Sequence, residues 1–422
     1  MTSALKTDRY ELTMLDAALQ SGQADKEVVF EVFARSLPAG RRFGVFAGVG
    51  RLIEEIKEFN FTQEQLAFLE SERIVSDQTL SWLADYSFSG EIEGFLEGEI
   101  FFGNSPVLTV SGSFAECVVL ETLVLSILNY DSAVASAAAR MRIAAGERKL
   151  IEMGSRRANE NAAVAAARAS YIAGFDATSN LQAQLSYGIP TLGTSGHAFT
   201  LLFDSESDAF KAQLKAMGEK TTFLVDTFDV EKAVNTAVEI TSGQLGNVRI
   251  DSGDLAETAQ KVRAQLDQLG ARETKITVTN DLDEDAIAAL AAYPVDSYGV
   301  GTSLVTGSGA PTAGFVFKLV SKKDDGKWID VSKRSSGKSN LPGRKVATRV
   351  IENGIATHDL ISKPDQGAEG RLLQVKYMNE GSVLDVPNLD QARSRFTDSL
   401  TELPATAKRL SDGEPALSVI TS

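Results

Sequence analysis

The chain has only two histidines, and one of them ends the run Ile189-Pro190-Thr191-Leu192-Gly193-Thr194-Ser195-Gly196-His197. A short apolar stretch breaks there into small polar residues and delivers an imidazole. A turn of this kind opens its backbone N–H groups and side chains to a ligand. The same grammar recurs at Gly154-Ser155-Arg156-Arg157, Asp176 to Asn180, Asp226-Thr227, Asp251-Ser252-Gly253-Asp254, Asn280-Asp281 and Gly299-Val300-Gly301-Thr302. Arg156, Arg157 and Arg249 supply planar guanidinium groups, which suit carboxylates and phosphates. A Gly-rich turn late in a strand–helix series is a recurrent phosphate cradle. Asp226, Asp251, Asp254 and Asp281 cannot attract an anion directly. They make sense as ligands of Mg²⁺, which binds carboxylates together with substrate phosphates, or as acceptors for sugar hydroxyls. Both kinds of group at one site point to a sugar phosphate or a nucleotide. Each cluster could also be a plain helix N-cap, where Ser, Thr, Asp and Asn are favoured. Seven in series, with arginines and a histidine among them, favour a shared site.

The elements that position these groups are short strands alternating with helices. Apolar runs place strands at Lys149–Met153, Gly174–Phe175, Pro190–Leu192, Thr222–Val225, Asn247–Ile250, Lys275–Val278 and Ser297–Val300. Helical periodicity lies between them, as in Leu255 to Leu269. Seven such units predict an irregular parallel α/β barrel with function at the C-terminal ends of its strands. The flanking text is different. Strands at Val28–Phe33, across Ser87–Ser113, and at Phe315–Val320, Trp328–Val331, Val346–Ile351 and Leu372–Tyr377 read as a β-rich outer domain, with a helix over Asn388–Leu403. The expected organisation is therefore residues 1–115 with 315–422 as the α+β outer domain, and 116–314 as the inserted barrel.

The bulk properties narrow the field. With 42 Lys+Arg against 57 Asp+Glu the formal net charge is −15, which argues against a nucleic-acid surface. The one cysteine, Cys117, cannot close an internal disulfide and reads as a buried core thiol in a reducing compartment. No basic-then-apolar leader and no unbroken apolar run of about 18 residues are evident, so a cytoplasmic protein with no membrane partner is expected. Zinc-ligand spacings, a Walker loop, a GxGxxG loop and a Ser-His-Asp order are all missing from the text.

These residues, in this order, resemble the nicotinate phosphoribosyltransferases, a type II phosphoribosyltransferase family. The likeness is carried by Thr7-Asp8-Arg9-Tyr10-Glu11-Leu12-Thr13-Met14, Gly154-Ser155-Arg156-Arg157, Gly174-Phe175-Asp176-Ala177-Thr178-Ser179-Asn180 and Gly193 to His197. It continues through Val248-Arg249-Ile250-Asp251-Ser252-Gly253-Asp254, Asn280 to Glu284, Tyr298 to Thr302, and a Ser- and Lys-rich stretch ending in Leu341-Pro342-Gly343-Arg344-Lys345. The resemblance implies condensation of nicotinate with phosphoribosyl pyrophosphate to nicotinate mononucleotide, a precursor of NAD, with Mg²⁺ and with ATP as co-substrate. It implies that His197 is phosphorylated; on chemical grounds a carboxylate such as Asp226 is expected to orient its ring, with Asp251 as a further catalytic residue. Tyr10 would stack on the substrate ring from the partner of a homodimer. Thr194 and Arg249 match nicotinate contacts and Thr302 a phosphoribosyl-pyrophosphate contact. Arg156, Asn180, Asn280, Asp281 and Gly301 complete the expected substrate-binding set, with Arg156 and Arg157 not distinguished. The metal ligands stay open. The neutral Thr178-Ser179-Asn180 and Arg249 favour nicotinate over nicotinamide. The other readings are a quinolinate-using relative and a non-catalytic nucleotide-binding barrel.

Overall fold

Short apolar runs of two to four residues build the central sheet: β1 (Lys149–Glu152), β2 (Ala177–Thr178), β3 (Thr222–Leu224), β4 (Asn247–Ile250), β5 (Lys275–Val278) and β6 (Ser297–Val300). In this computed structural model, which describes residues 4–333, 341–367, 369–384 and 386–421, they form one parallel sheet in the order β2-β1-β6-β5-β4-β3. Leu150, Phe223, Val248, Ile250, Ile276, Val278, Tyr298 and Val300 are fully buried, which fits strands covered on both faces. Because all six strands run the same way, the polar turn after each leaves at the same edge. The helices that follow are capped as their sequences dictate. Asn159, Asn180, Ser205, Asp229, Asp254 and Asp283 each accept a first-turn amide. For Asp254 and Asp283 the capping role is therefore real.

Two expected strands shift. Gly174 adopts φ +101° and turns the chain, so the strand forms at Ala177–Thr178 rather than at Gly174–Phe175. Pro190–Leu192 yields only a single parallel bridge, Thr178 to Thr191. Pro190 has no N–H to extend a ladder. The sheet is thus a curled half-barrel of six strands plus a bridge.

The chain divides into two compact units, Met1–Ser136 with Ala310–Ser422, and Ala137–Gly309. The first holds a seven-stranded antiparallel sheet in which Glu27–Ala34 lies between Phe315–Asp324 and Leu108–Ser113. Early and late sequence thus share one sheet. A four-stranded sheet adds Arg371–Leu372, Val346–Glu352, Ile355–Ser362 and Ser418–Thr421. Ile355–Ser362 and Ser418–Thr421 are strands where no strand was expected. The helix at Leu389–Glu402 starts from a capping box on Asn388. The boundary lies at 136 rather than 115. Side chains on the early turns of the helix Glu121–Ala145 are tied into the first unit: Asn129 accepts from Phe315 N–H, Asp131 pairs with Arg51, and the Ser132 and Ser136 hydroxyls accept from Ala47 and Val45 N–H. The stretch Phe114–Ala145 is long and apolar enough to cross a membrane, and 67% of its most apolar part is buried inside the fold. Residues 334–340, most of the Ser- and Lys-rich stretch, lie outside the described residues.

Candidate functional site

The shared edge of the sheet opens into a cleft of about 430 Å³, a size ordinary for small-molecule sites. Its walls come from every strand end except β3. Ser155, Arg156 and Arg157 follow β1, Ser179 follows β2, Asn280 and Asp281 follow β5, and Gly301 and Thr302 follow β6. Thr194 and Gly196 arrive from the loop after the Thr191 bridge. Arg249 and Asp251 complete it from β4. Both Arg156 and Arg157 line the cleft. Gly299 is needed beneath it, since a Cβ there would stand 2.6 Å from Met153 Sδ and from Thr279 Cγ2.

Arg249 is the most constrained cation of the site. Its Nη1 donates to Thr194 Oγ1 at 2.7 Å, and its Nε is buried without a protein partner. Burial, and to a lesser extent Arg156, lower its pKa, while Asp251 and Asp226 oppose them. The guanidinium therefore keeps donor capacity for an anion. Asp251 accepts from the Thr279 hydroxyl, and its other oxygen lies 3.7 Å from His197 Nε2. His197 opens a short helix next to Gly196, and its Nδ1 is 3.2 Å from Thr227 Oγ1.

Asp226 does something other than expected. It accepts from the Asp251 N–H at 2.8 Å and the Ser252 hydroxyl at 2.6 Å, so it braces the loop after β4. The carboxylate within ion-pair range of His197 is Asp251, not Asp226. Asn180 also turns partly inward. Its Oδ1 accepts the Ala183 N–H as a cap and its Nδ2 donates to Ser155 Oγ at 3.0 Å, leaving Ser179 on the cleft wall. Tyr10 belongs to the other unit, where it is 45% exposed; burial of its hydroxyl and the neighbouring Glu121 raise its pKa.

Several supporting residues carried no clear signal in the text. Thr227 and Thr279 hold His197 and Asp251. Gln213, 3% exposed inside the helix Glu206–Met217, accepts from the Ser195 hydroxyl and donates to Thr221 Oγ1 and Thr222 O, tying the Thr194 loop to β3. A lone Gln in an amphipathic helix gives no hint of this. Thr227 at least stood in a polar cluster beside Asp226.

The family models decide what this cleft belongs to. The N-terminal domain of nicotinate phosphoribosyltransferase matches residues 5–129, and the nicotinate phosphoribosyltransferase family proper matches residues 148–357. A Mycobacterium tuberculosis nicotinate phosphoribosyltransferase, pncB1, is 51% identical over 98% of this chain and 94% of its own length. The chain belongs to the nicotinate phosphoribosyltransferase family. Among solved structures, human nicotinic acid phosphoribosyltransferase aligns with a TM-score of 0.84 at 25% identity, covering 99% of this chain and 97% of that one. A nicotinate-nucleotide pyrophosphorylase from Pyrococcus furiosus aligns with a TM-score of 0.78, also at 25% identity, covering 95% of each chain. The family likeness runs through both the parallel-sheet unit and the sheets that flank it in sequence.

Proposed function

We propose that the chain transfers phosphoribosyl from phosphoribosyl pyrophosphate to nicotinate, giving nicotinate mononucleotide and pyrophosphate, in NAD biosynthesis. The observation that carries this reading is one cleft holding Arg156, Arg249 and the 299–302 loop, in a chain 51% identical to a nicotinate phosphoribosyltransferase. The chemistry asks little acid–base work of the protein. The pyridine nitrogen is the nucleophile at the ribose C1, and the bond to pyrophosphate breaks. What the enzyme supplies is alignment and stabilisation of developing charge. Arg249, with Thr194 fixing it, suits the nicotinate carboxylate. Arg156, Arg157 and the N–H groups of the 299–302 loop suit the phosphates.

Mg²⁺ fits this donor set. No group of three or more His, Cys, Asp or Glu is gathered for a metal among the described residues. Mg²⁺ needs only one or two carboxylates when substrate phosphates and water complete its shell. Asp281, on the cleft wall, is the residue best placed to hold it, and when bound it would neutralise charge on the departing pyrophosphate. ATP coupling is assigned to His197. The γ-phosphoryl group passes to an imidazole nitrogen and ADP leaves. Thr227 holds the ring at Nδ1, which leaves Nε2 beside Asp251. Tyr10 is assigned to ring stacking across a homodimer, and the compartment is the cytoplasm.

The one other reading weighed against this is a decarboxylating transferase using quinolinate, whose second carboxylate would ask for more cations than Arg156, Arg157 and Arg249 on the cleft wall. The test is a mononucleotide assay with nicotinate, nicotinamide and quinolinate in parallel, with and without ATP. Nicotinate turnover stimulated by ATP supports the proposal. Carbon dioxide release from quinolinate with no use of nicotinate refutes it.

A further inference from the structure

Within the apolar run Leu150-Ile151-Glu152-Met153, strand β1 carries an acidic residue that is fully buried. Two hydrogen bonds hold its carboxylate, from the Gly154 N–H and from the Thr178 hydroxyl, and burial pushes its pKa upward. A carboxylate buried without a cation is costly, and an apolar side chain would fill a strand core more cheaply. Its place in the fold must therefore come from what the two bonds join.

Gly154 opens the loop that carries Arg156 and Arg157, and Thr178 opens the loop that carries Ser179 and Asn180. Further bonds close a ring through the same groups. Thr178 Oγ1 accepts the Asn180 N–H at 2.9 Å, and Asn180 Nδ2 donates to Ser155 Oγ at 3.0 Å. The Ser179 N–H donates to the Glu152 carbonyl at 2.8 Å. The ring also abuts the neighbouring loop after β6. A Cβ on Gly154 would stand 3.0 Å from Glu152 Oε1 and 3.1 Å from the Gly301 carbonyl.

We propose that Glu152 is a positioning residue: by accepting from Gly154 and Thr178 together it sets the gap between the 154–157 and 178–180 loops, and with it the fit of the phosphoribosyl donor. This rests on the function proposed above. The two-acceptor requirement makes the inference sharp. Glutamine matches glutamate in shape but has one accepting oxygen: with that oxygen on the Gly154 N–H, its NH₂ faces Thr178 Oγ1, which must then accept from it as well as from Asn180, and the Thr178 hydroxyl hydrogen loses the acceptor Glu152 gave it.

The experiment compares Glu152→Gln, Thr178→Val and Thr178→Ser with the unaltered protein. For Glu152→Gln and Thr178→Val the KM for phosphoribosyl pyrophosphate should rise about tenfold while kcat moves less than about threefold. Thr178→Ser, which keeps the hydroxyl, should restore the KM to within about twofold. Amide hydrogen exchange of the free protein should quicken at 154–157 and 178–181 in Glu152→Gln and Thr178→Val, with exchange in the other strands unchanged. A KM unchanged in Glu152→Gln, or a loss confined to kcat, overturns the proposal. Should Glu152→Gln not fold, equal KM values for Thr178→Val and Thr178→Ser overturn it instead. If the unaltered protein makes no mononucleotide, the functional reading has failed; the exchange data still decide whether Glu152 clamps the two loops.

Discussion

Replacing Arg249 separates the carboxylate-binding account from a merely structural one. Its guanidinium is held by Thr194 at 2.7 Å, flanked by Asp226 and Asp251, and set into the cleft wall with its Nε lacking a protein partner. If that group meets the nicotinate carboxylate, Arg249→Met removes a charge-assisted contact worth about 1.5–3 kcal/mol, or roughly 10- to 150-fold in binding. Arg249→Lys keeps the charge but loses the planar fork, so it should recover only part of that loss. Nicotinamide is the internal control, because it carries no carboxylate. Steady-state assays with both rings should show the KM for nicotinate rising by one to two orders of magnitude in Arg249→Met, with little change for nicotinamide. An equal loss for the two rings would mean that Arg249 only holds the wall together. A KM for nicotinate within about twofold of the unaltered protein would refute the assignment outright.

Other outcomes follow from single groups. His197→Ala should abolish ATP consumption and incorporation of the γ-phosphoryl group while slow ATP-independent mononucleotide formation persists; ATP-coupled turnover at the original rate would remove His197 from the coupling. Glu206 has a buried oxygen without a partner, and burial followed by Asp229 raises its pKa from 4.5 to about 7. An acid with a raised folded pKa stabilises the fold while protonated and loses that contribution as pH climbs from the unfolded value through the folded one. Glu206→Gln should therefore raise the melting temperature near pH 8 and leave it unchanged near pH 4.5, as thermal scans at the two pH values would read. Arg349 is fully buried between Asp359, at 2.8 Å and 3.0 Å, and Glu99, at 2.7 Å. Arg349→Met should cost about 3–5 kcal/mol in denaturant unfolding because the buried Asp359 loses its ion-pair partner, while Glu99 keeps Arg371 and Arg395, and a cost under about 1 kcal/mol would contradict that reading.

The parallel sheet was legible because the apolar run of each strand gives way within a residue or two to glycine or polar residues. Asn247–Ile250, Lys275–Val278 and Ser297–Val300 appear with the ends their sequences suggest. The helix after Asn388 was equally plain, since Asn388 and Gln391 spell a capping box. The strand Ile355–Ser362 was hidden because Thr357-His358-Asp359 interrupts its apolar pattern. Asp359 makes sense there only once Arg349, on the neighbouring strand, is seen to neutralise it. The helix Glu121–Ala145 is Ala-rich and unbroken, so nothing in its text marks where one compact unit gives way to the next. At the site, the residues that face the cleft had chemical types that advertised them. Those that hold them in place, Glu152, Gln213 and Thr279, look like ordinary strand and helix residues, because their meaning lies in partners distant in sequence. Asp226 misled for the same reason: its Oδ2 accepts from Asp251 and Ser252, its Oδ1 is buried without a partner, and the carboxylate that reaches the imidazole is that of Asp251.

The central claim is that turns after successive parallel strands converge on one cleft that holds both reactants. A crystal structure of the protein with nicotinate mononucleotide and Mg²⁺-pyrophosphate tests it most directly. The account predicts the pyridine carboxylate against Arg249 and Thr194, and the phosphates against Arg156 or Arg157 and the 299–302 loop. Product bound on another surface, with this cleft filled only by solvent, would contradict it.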